Sequence, residues 1–304
     1  IPSTYGQVLE EIATFGAGLM ELGAKRGDNI GLIADNRKEW LICDLAMQGL
    51  GMVDVPRGCD ATEQELAYIL SFSDCKLAIL ENERQAAKIL ARKQEMPILQ
   101  SIILMDEAGK ESLDAAHKSG LAVYSYKEIM QKGVDRRKAK PGEYEEEAHK
   151  GKSTDMATII YTSGTTGEPK GVMLSHANFL HQTEALPELI NLKPEQIWLS
   201  VLPVWHSFER LVQYNILAVS NTIAYSKPIG SVMLPDFQAI RPHWMASVPR
   251  IWESVKDGVY KNIRQAGGAK KQLFTFFVAE EKLFHILKTC FWADCPTLGT
   301  GPVL

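Results

Sequence analysis

Apolar and polar positions along this chain come in alternating blocks. Short continuous apolar runs, of the kind buried strands show, take turns with stretches of helical spacing. Thr4-x-x-Gln7 has the form of a capping box. Behind it Val8, Leu9, Ile12, Phe15, Leu19 and Leu22 recur on one helical side until Gly23. Residues 29–34 read as a strand. Asp35 or Asn36 can cap the next helix, which runs through Trp40, Leu41, Leu45 and Met47 to the glycines at 49 and 51. Residues 52–56 are the next strand, and Thr62-x-x-Glu65 opens a third helix with Leu66, Ile69 and Leu70. Strand, helix and strand follow at 76–80, 82–94 and 101–105. Strands alternating with helices of this length predict an α/β fold with a doubly wound, mainly parallel sheet. Ligands of such sheets bind at the carboxyl ends of the strands.

The pattern changes at residues 133–155, where R-R-K at 136–138, Pro141-Gly142 and E-E-E at 145–147 leave almost nothing apolar. Such a charge run reads as a solvated linker. It divides the chain into a first α/β region, 1–150, and a second, 151–304. The second opens on an apolar run, residues 156–161, that enters Y-T-S-G-T-T-G-E-P-K-G at 161–171. Glycines there let the backbone turn tightly and bring N–H groups close to an anion. Thr162, Ser163, Thr165 and Thr166 add donors without bulk, and Lys170 adds a mobile positive charge. This is phosphate-binding chemistry, yet not the common P-loop: Gly164 and Gly167 are three apart and Lys170 precedes Gly171. Gly151-Lys-Ser153 is a decoy, because Glu146 stands where a P-loop has its first glycine. Beyond a helix at about 178–190, with Pro187 as its expected break, residues 197–202 form a strand. It leads into P-V-W-H-S-F-E-R at 203–210. By the strand-end rule this stretch faces the same crevice as the glycine-rich loop, and His206 there can be catalytic or structural.

Composition narrows the classes further. The 304 residues carry a net charge of −4, which gives no electrostatic footprint for nucleic acid. No apolar run approaches membrane-span length, and Ile1-Pro-Ser-Thr lacks the pattern of a signal peptide. Five scattered cysteines (43, 59, 75, 290 and 295) match no zinc spacing and suggest reduced thiols in a cytoplasmic protein.

The run D-M-A-T-I-I-Y-T-S-G-T-T-G-E-P-K-G-V-M-L-S-H resembles the signature of the adenylate-forming acyl-CoA synthetase superfamily. L-P-V-W-H-S-F-E-R at 202–210, D-N-R-K-E-W at 35–40 and V-P-R-I-W at 248–252 are similar to the long-chain fatty acyl-CoA synthetase branch. The likeness extends over residues 5 to about 263. It implies two stacked subdomains of an adenylate-forming N-terminal domain. The closing T-G-P-V-L at 300–304 resembles the end of a motif that supplies an adenine-stacking tyrosine and a magnesium-binding glutamate. At those places this sequence has Cys295 to Gly299, so the chain is expected to be partial, without the small C-terminal domain.

The activity that the resemblance implies joins a fatty, long-chain carboxylate to the α-phosphate of ATP and releases pyrophosphate. The thiol of coenzyme A then displaces AMP. Lys170 and His206 are the expected catalytic residues. Thr162, Ser163, Gly164, Thr165, Thr166, Gly167 and Lys170 are expected to bind the ATP phosphates, with magnesium bridging them and a loop threonine as its one candidate ligand. Trp205, Phe208, Val248, Pro249 and Arg250 are expected to wall the acyl site. Peripheral membrane contact and a homodimer stay open. So do two other readings: an adenylating ligase for another acid, and a nucleotide-binding protein without full catalysis.

Overall fold

The computed structural model describes residues 2–162, 169–269 and 271–278. Its first elements are those that the apolar spacing demands. α1 (Tyr5–Glu21) starts at Thr4, whose Oγ1 accepts from the Gln7 N–H while the Gln7 side chain accepts from the Thr4 N–H. β1 (Asn29–Ile33), α2 (Lys38–Gly49), β2 (Val53–Arg57), α3 (Glu63–Phe72), β3 (Leu77–Leu80), α4 (Glu83–Ala91), β4 (Ser101–Leu104), α5 (Lys110–Lys118) and β5 (Ala122–Ser125) follow in strict alternation. Thr62 caps α3 in the same reciprocal way as Thr4 caps α1. Then come α6 (Tyr126–Ala139), α7 (Glu143–Ala148), β6 (Met156–Thr162), β7 (Lys170–Ser175) and α8 (His176–Leu189). The last elements are β8 (Ile197–Ser200), α9 (Ser207–Ala218), β9 (Thr222–Tyr225), α10 (Gly230–Ile240) and α11 (Pro249–Ala266).

Seven strands form one sheet in the order β5-β4-β3-β1-β2-β6-β7, and only β7 runs antiparallel to its neighbour. β1 and β3 are buried almost throughout, as continuous apolar runs between two helical layers must be. One core layer gathers Phe15, Leu19, Ile30, Leu32, Trp40 and Met47; the other gathers Ile33, Val55, Leu66, Ile69, Leu80 and Ile102. β8 and β9 pair in parallel as a separate small sheet, over which Trp198 and Trp244 stack with ring centroids 5.4 Å apart. Residues 1–246 make one compact unit. Residues 247–304 make another, in which α11 opens with Pro249 in its first turn.

Three expectations need correction. The charged stretch 133–155 is not an open linker. Its first part is the end of α6, which crosses α1 with backbones almost touching: a Cβ on Gly133 would lie 1.8 Å from the Thr14 carbonyl oxygen. Tyr144, from the same stretch, is buried. The charges pair instead of facing only water: Arg136 bridges Glu21 and Glu143, and Arg137 reaches Glu10 and Glu145. Nor does a sheet boundary fall at 150/151. β6 joins the first sheet through Asp54 and Thr158, so the strand that leads into the glycine-rich loop belongs to the fold of the first 125 residues. Pro187 lies inside α8 without ending it, near the last turn.

One buried charge cluster ties the late helix α9 to this sheet. Arg210 is fully enclosed, with Nη1 and Nη2 donating to both oxygens of Asp54 at 2.9 and 2.7 Å. Nη2 also reaches Asp44, and Nε donates to the Tyr214 hydroxyl at 2.7 Å. Tyr214 in turn donates to Asp44 at 2.6 Å, and the guanidinium lies 5.4 Å from the ring centroids of both Trp40 and Phe179. Burial pushes the Asp54 carboxyl above its ordinary range. Arg210 pulls it down, and the second carboxylate, Asp44, opposes that pull. Removing the guanidinium leaves two carboxylates enclosed without a cation, so Arg210→Ala should cost about 3–5 kcal/mol. Urea unfolding of the variant against wild type checks this, and Arg210→Lys should recover little because an ammonium cannot make the bidentate contact.

Candidate active site

The carboxyl ends of β2 and β6 open on a cleft of about 850 Å³, lined by Arg57, Tyr68, Arg92, Tyr161, Thr162, Pro169 and His206 among others. Of the expected site residues, it brings together Thr162 and His206. Lys170 stands beside them as the first residue of β7, directly opposite Thr162 in the antiparallel register. Residues 163–169 therefore connect two paired antiparallel strands. Ser163, Gly164, Thr165, Thr166 and Gly167 lie outside the described residues.

Tyr161 secures the base of this hairpin. Its hydroxyl is 2.8 Å from the Ser73 hydroxyl, and its ring meets Tyr68 edge-on. The ring also covers Gly171, where a Cβ would sit 2.8 Å from Ile159 and 3.2 Å from Tyr161. Gly171 is thus explained by the side chains across the hairpin; only glycine lets them close over the strand. α8 begins one strand later, with the Asn178 side chain accepting from the Ser175 N–H at 2.8 Å.

The second wall of the cleft is the turn after β8. Its direction reverses at residues 203–206, where the His206 N–H donates to the Pro203 carbonyl at 3.0 Å. His206 then serves as the N-cap of α9, its Nδ1 accepting from the Phe208 N–H at 3.3 Å. A neutral imidazole whose Nδ1 accepts must carry its proton on Nε2. The exposed ring can therefore offer an N–H donor to an oxygen in the cleft. Trp205 lies half-buried against the end of β2, where a Cβ on Gly58 would meet its ring at 2.3 Å. Phe208 is exposed. Val248, Pro249 and Arg250 belong to the other compact unit, at the start of α11.

Behind His206, Glu209 and Gln213 point one helical turn apart into the interior of α9's buried side. Gln213 Nε2 donates to Ser200 Oγ at 3.1 Å. Burial pushes the Glu209 carboxyl up to about 7, with the Ser200 and Gln213 side chains offsetting part of the shift. Arg57 and Arg92 in the cleft are additions that sequence patterns did not single out; each already pairs with a carboxylate, Glu65 and Glu95. Among the described residues one set of three ligand-type side chains lies within mutual reach: Asp35, Cys59 and Glu81. Backbone N–H groups already occupy the two carboxylates, Cys59 on Asp35 and Asp35 on Glu81. Burial, together with those carboxylates, pushes the Cys59 thiol well up, so the set is accounted for by the turns at the strand ends.

The fold is an α/β domain with a mainly parallel sheet, and one cleft joins the end of β6 to the histidine-bearing turn. The A-PCP didomain of the carboxylic acid reductase from Segniliparus rugosus, solved with AMP, has the same fold: TM-score 0.72 at 20% identity, over 88% of this chain and 39% of that one. The family model of AMP-binding enzymes matches residues 2–296, and the chain belongs to that family. It is 31% identical to the long-chain-fatty-acid–[acyl-carrier-protein] ligase AEE15, chloroplastic, of Arabidopsis thaliana, over 98% of this chain and 41% of the relative. It is 30% identical to the peroxisomal long chain acyl-CoA synthetase 7 of the same plant, over 89% of this chain and 37% of the relative. The chain thus spans about two-fifths of the length of the curated relatives it matches. Among the described residues, no helix is long and apolar enough to cross a membrane.

Glu209 makes stability pH-dependent. Its folded pKa lies above the unfolded value, so the folded state holds a proton that the unfolded chain has released between about pH 4.5 and 7. Stability from this group is fully present below that window and falls as pH rises through it, by on the order of 3 kcal/mol. Urea unfolding at pH 5 and pH 8 should show that loss in wild type, and Glu209→Gln should remove it.

Proposed function

We propose that this chain carries the phosphate-binding part of an AMP-forming ligase that activates a long-chain fatty carboxylate.

 In the first step a carboxylate oxygen attacks the α-phosphorus of ATP, the bond to the bridging oxygen breaks, and pyrophosphate leaves with its electron pair. In the second, an acceptor thiol attacks the acyl carbon of the adenylate and AMP departs. Coenzyme A is the acceptor in this reading, as the name of the peroxisomal relative suggests; an acyl carrier protein stands in that place in the name of the chloroplastic one.

The observation that carries the reading is that Thr162 and His206 line one cleft, with Lys170 opposite Thr162 on the paired strand. Negative charge grows on the departing pyrophosphate, so fixed donors aimed at it lower the barrier more than they tighten ground-state binding. Lys170 meets that charge, with the hydroxyls and backbone N–H groups of residues 162–167. His206 donates from Nε2 to the carboxylate or to an α-phosphate oxygen. Trp205 and Phe208 contribute apolar surface for the acyl chain. Magnesium would enter with ATP as part of the substrate and would offset the charge of its phosphates.

Acid-dependent exchange of pyrophosphate into ATP tests the first step by itself. In the full-length protein, Lys170→Ala should slow this exchange by about 10²–10³-fold, the range for losing one preorganised charge-stabilising group. An unchanged rate would remove Lys170 from the step. His206→Ala should likewise cost rate, by more than the roughly 1 kcal/mol of stability expected from losing the cap on the Phe208 N–H. Comparing fatty acids of increasing length with aryl acids in the same assay separates the fatty substrate from another acid.

A further inference from the structure

Asn36 does not do what its position in the sequence suggests. It follows β1, just ahead of α2, where a capping role is expected. The N-cap of α2 is instead Arg37, without any side-chain cap. The Asn36 side chain turns away from its own helix and engages the strand and turn that lead to His206, more than 160 residues later in the chain. Its Nδ2 donates to Ser200 Oγ at 3.0 Å and to the Leu202 carbonyl at 2.6 Å. Its Oδ1 accepts from the Val204 N–H at 3.0 Å. One amide thus uses both donor hydrogens and its acceptor on a five-residue segment.

This segment is the end of β8 and the turn whose next residues are Trp205 and His206. Ser200 Oγ, held by Asn36, also accepts from Gln213 on α9, the helix that His206 caps. The turn is therefore gripped from the first sheet on one side and from its own helix on the other. Only an amide fits the first grip. Aspartate has no donor for the Leu202 carbonyl, and alanine makes none of the three contacts.

We propose that Asn36 is a positioning residue for His206: it fixes the turn so that the Nε2–H of the imidazole points into the cleft. The proposal rests on the functional reading above for its kinetic consequence, and on the geometry alone for its structural one. A misplacement of about 1 Å in a positioned group can cost on the order of 10²-fold in rate.

The test is a double-mutant cycle in the full-length protein, read by acid-dependent pyrophosphate exchange and by ¹⁵N-histidine NMR. Asn36→Ala should lower the exchange rate about 10–100-fold with little change in the KM for ATP. In the His206→Ala background the same change should have less than about a twofold further effect, since its route of action is already gone. Equal losses in both backgrounds, or no loss in wild type, would overturn the proposal. The NMR arm does not depend on activity. In wild type the His206 Nδ1 should show the shift of an accepting nitrogen in a single tautomer; in Asn36→Ala it should show tautomer averaging. An unchanged His206 signal overturns the proposal. If wild type lacks exchange altogether while that signal moves, the functional reading falls and the positioning role stands. Asn36→Asp keeps the Val204 contact, serves should the alanine variant not fold, and is expected to give the same direction in both readouts.

Discussion

The packing of this protein depends on where one guanidinium can be put. Arg210 has no exposure to solvent, and a bare cation there would be prohibitively costly. Asp54 on β2 and Asp44 on α2 make it tolerable, and the Trp40, Phe179 and Tyr214 rings close around it. The satisfied geometry exists only when α9 lies against α2 and β2. An arrangement with α9 displaced would strand three charges in an apolar interior. The cluster therefore acts less as a source of net stability than as a restriction on which packing is allowed.

That restriction matters at the cleft. α9 begins at His206, one turn before Arg210, so seating the arginine also sets where the helix starts. The same helix buries Glu209 and Gln213, and Gln213 shares Ser200 with Asn36. On the facing wall the β6–β7 hairpin is held by Tyr161, through Ser73 and through the closeness that Gly171 permits. Two walls contributed by distant stretches of chain are thus each fixed by a few polar contacts to the first sheet. The residues proposed to meet substrate, Thr162, Lys170 and His206, are themselves exposed. This division suits a site in which rigid scaffolding carries reactive groups on turns.

Much of this was legible without coordinates. The alternating apolar runs identify β1 to β4 and their helices, because a parallel sheet buried on both faces needs continuous apolar strands. Thr4-x-x-Gln7 and Thr62-x-x-Glu65 mark helix starts because the capping contacts are local. The glycine- and hydroxyl-rich segment before Lys170 and the turn with His206 stand out by composition, since their chemistry is concentrated in a few consecutive residues.

What the tertiary structure decided are the roles that depend on partners far along the chain. R-R-K and E-E-E read as solvated because charge normally is; only the approach of α6 to α1 at Gly133 shows that they pair across helices. Asn36 reads as a helix cap because capping is a local probability, while its actual partners lie beyond residue 199. Arg210 looks like one more polar residue on a helix until Asp44 and Asp54 are brought around it. Local spacing and local chemistry thus determine the elements and mark the candidate site. Long-range hydrogen bonds and charge pairing, which leave no periodic trace in a single sequence, decide how those elements are held together.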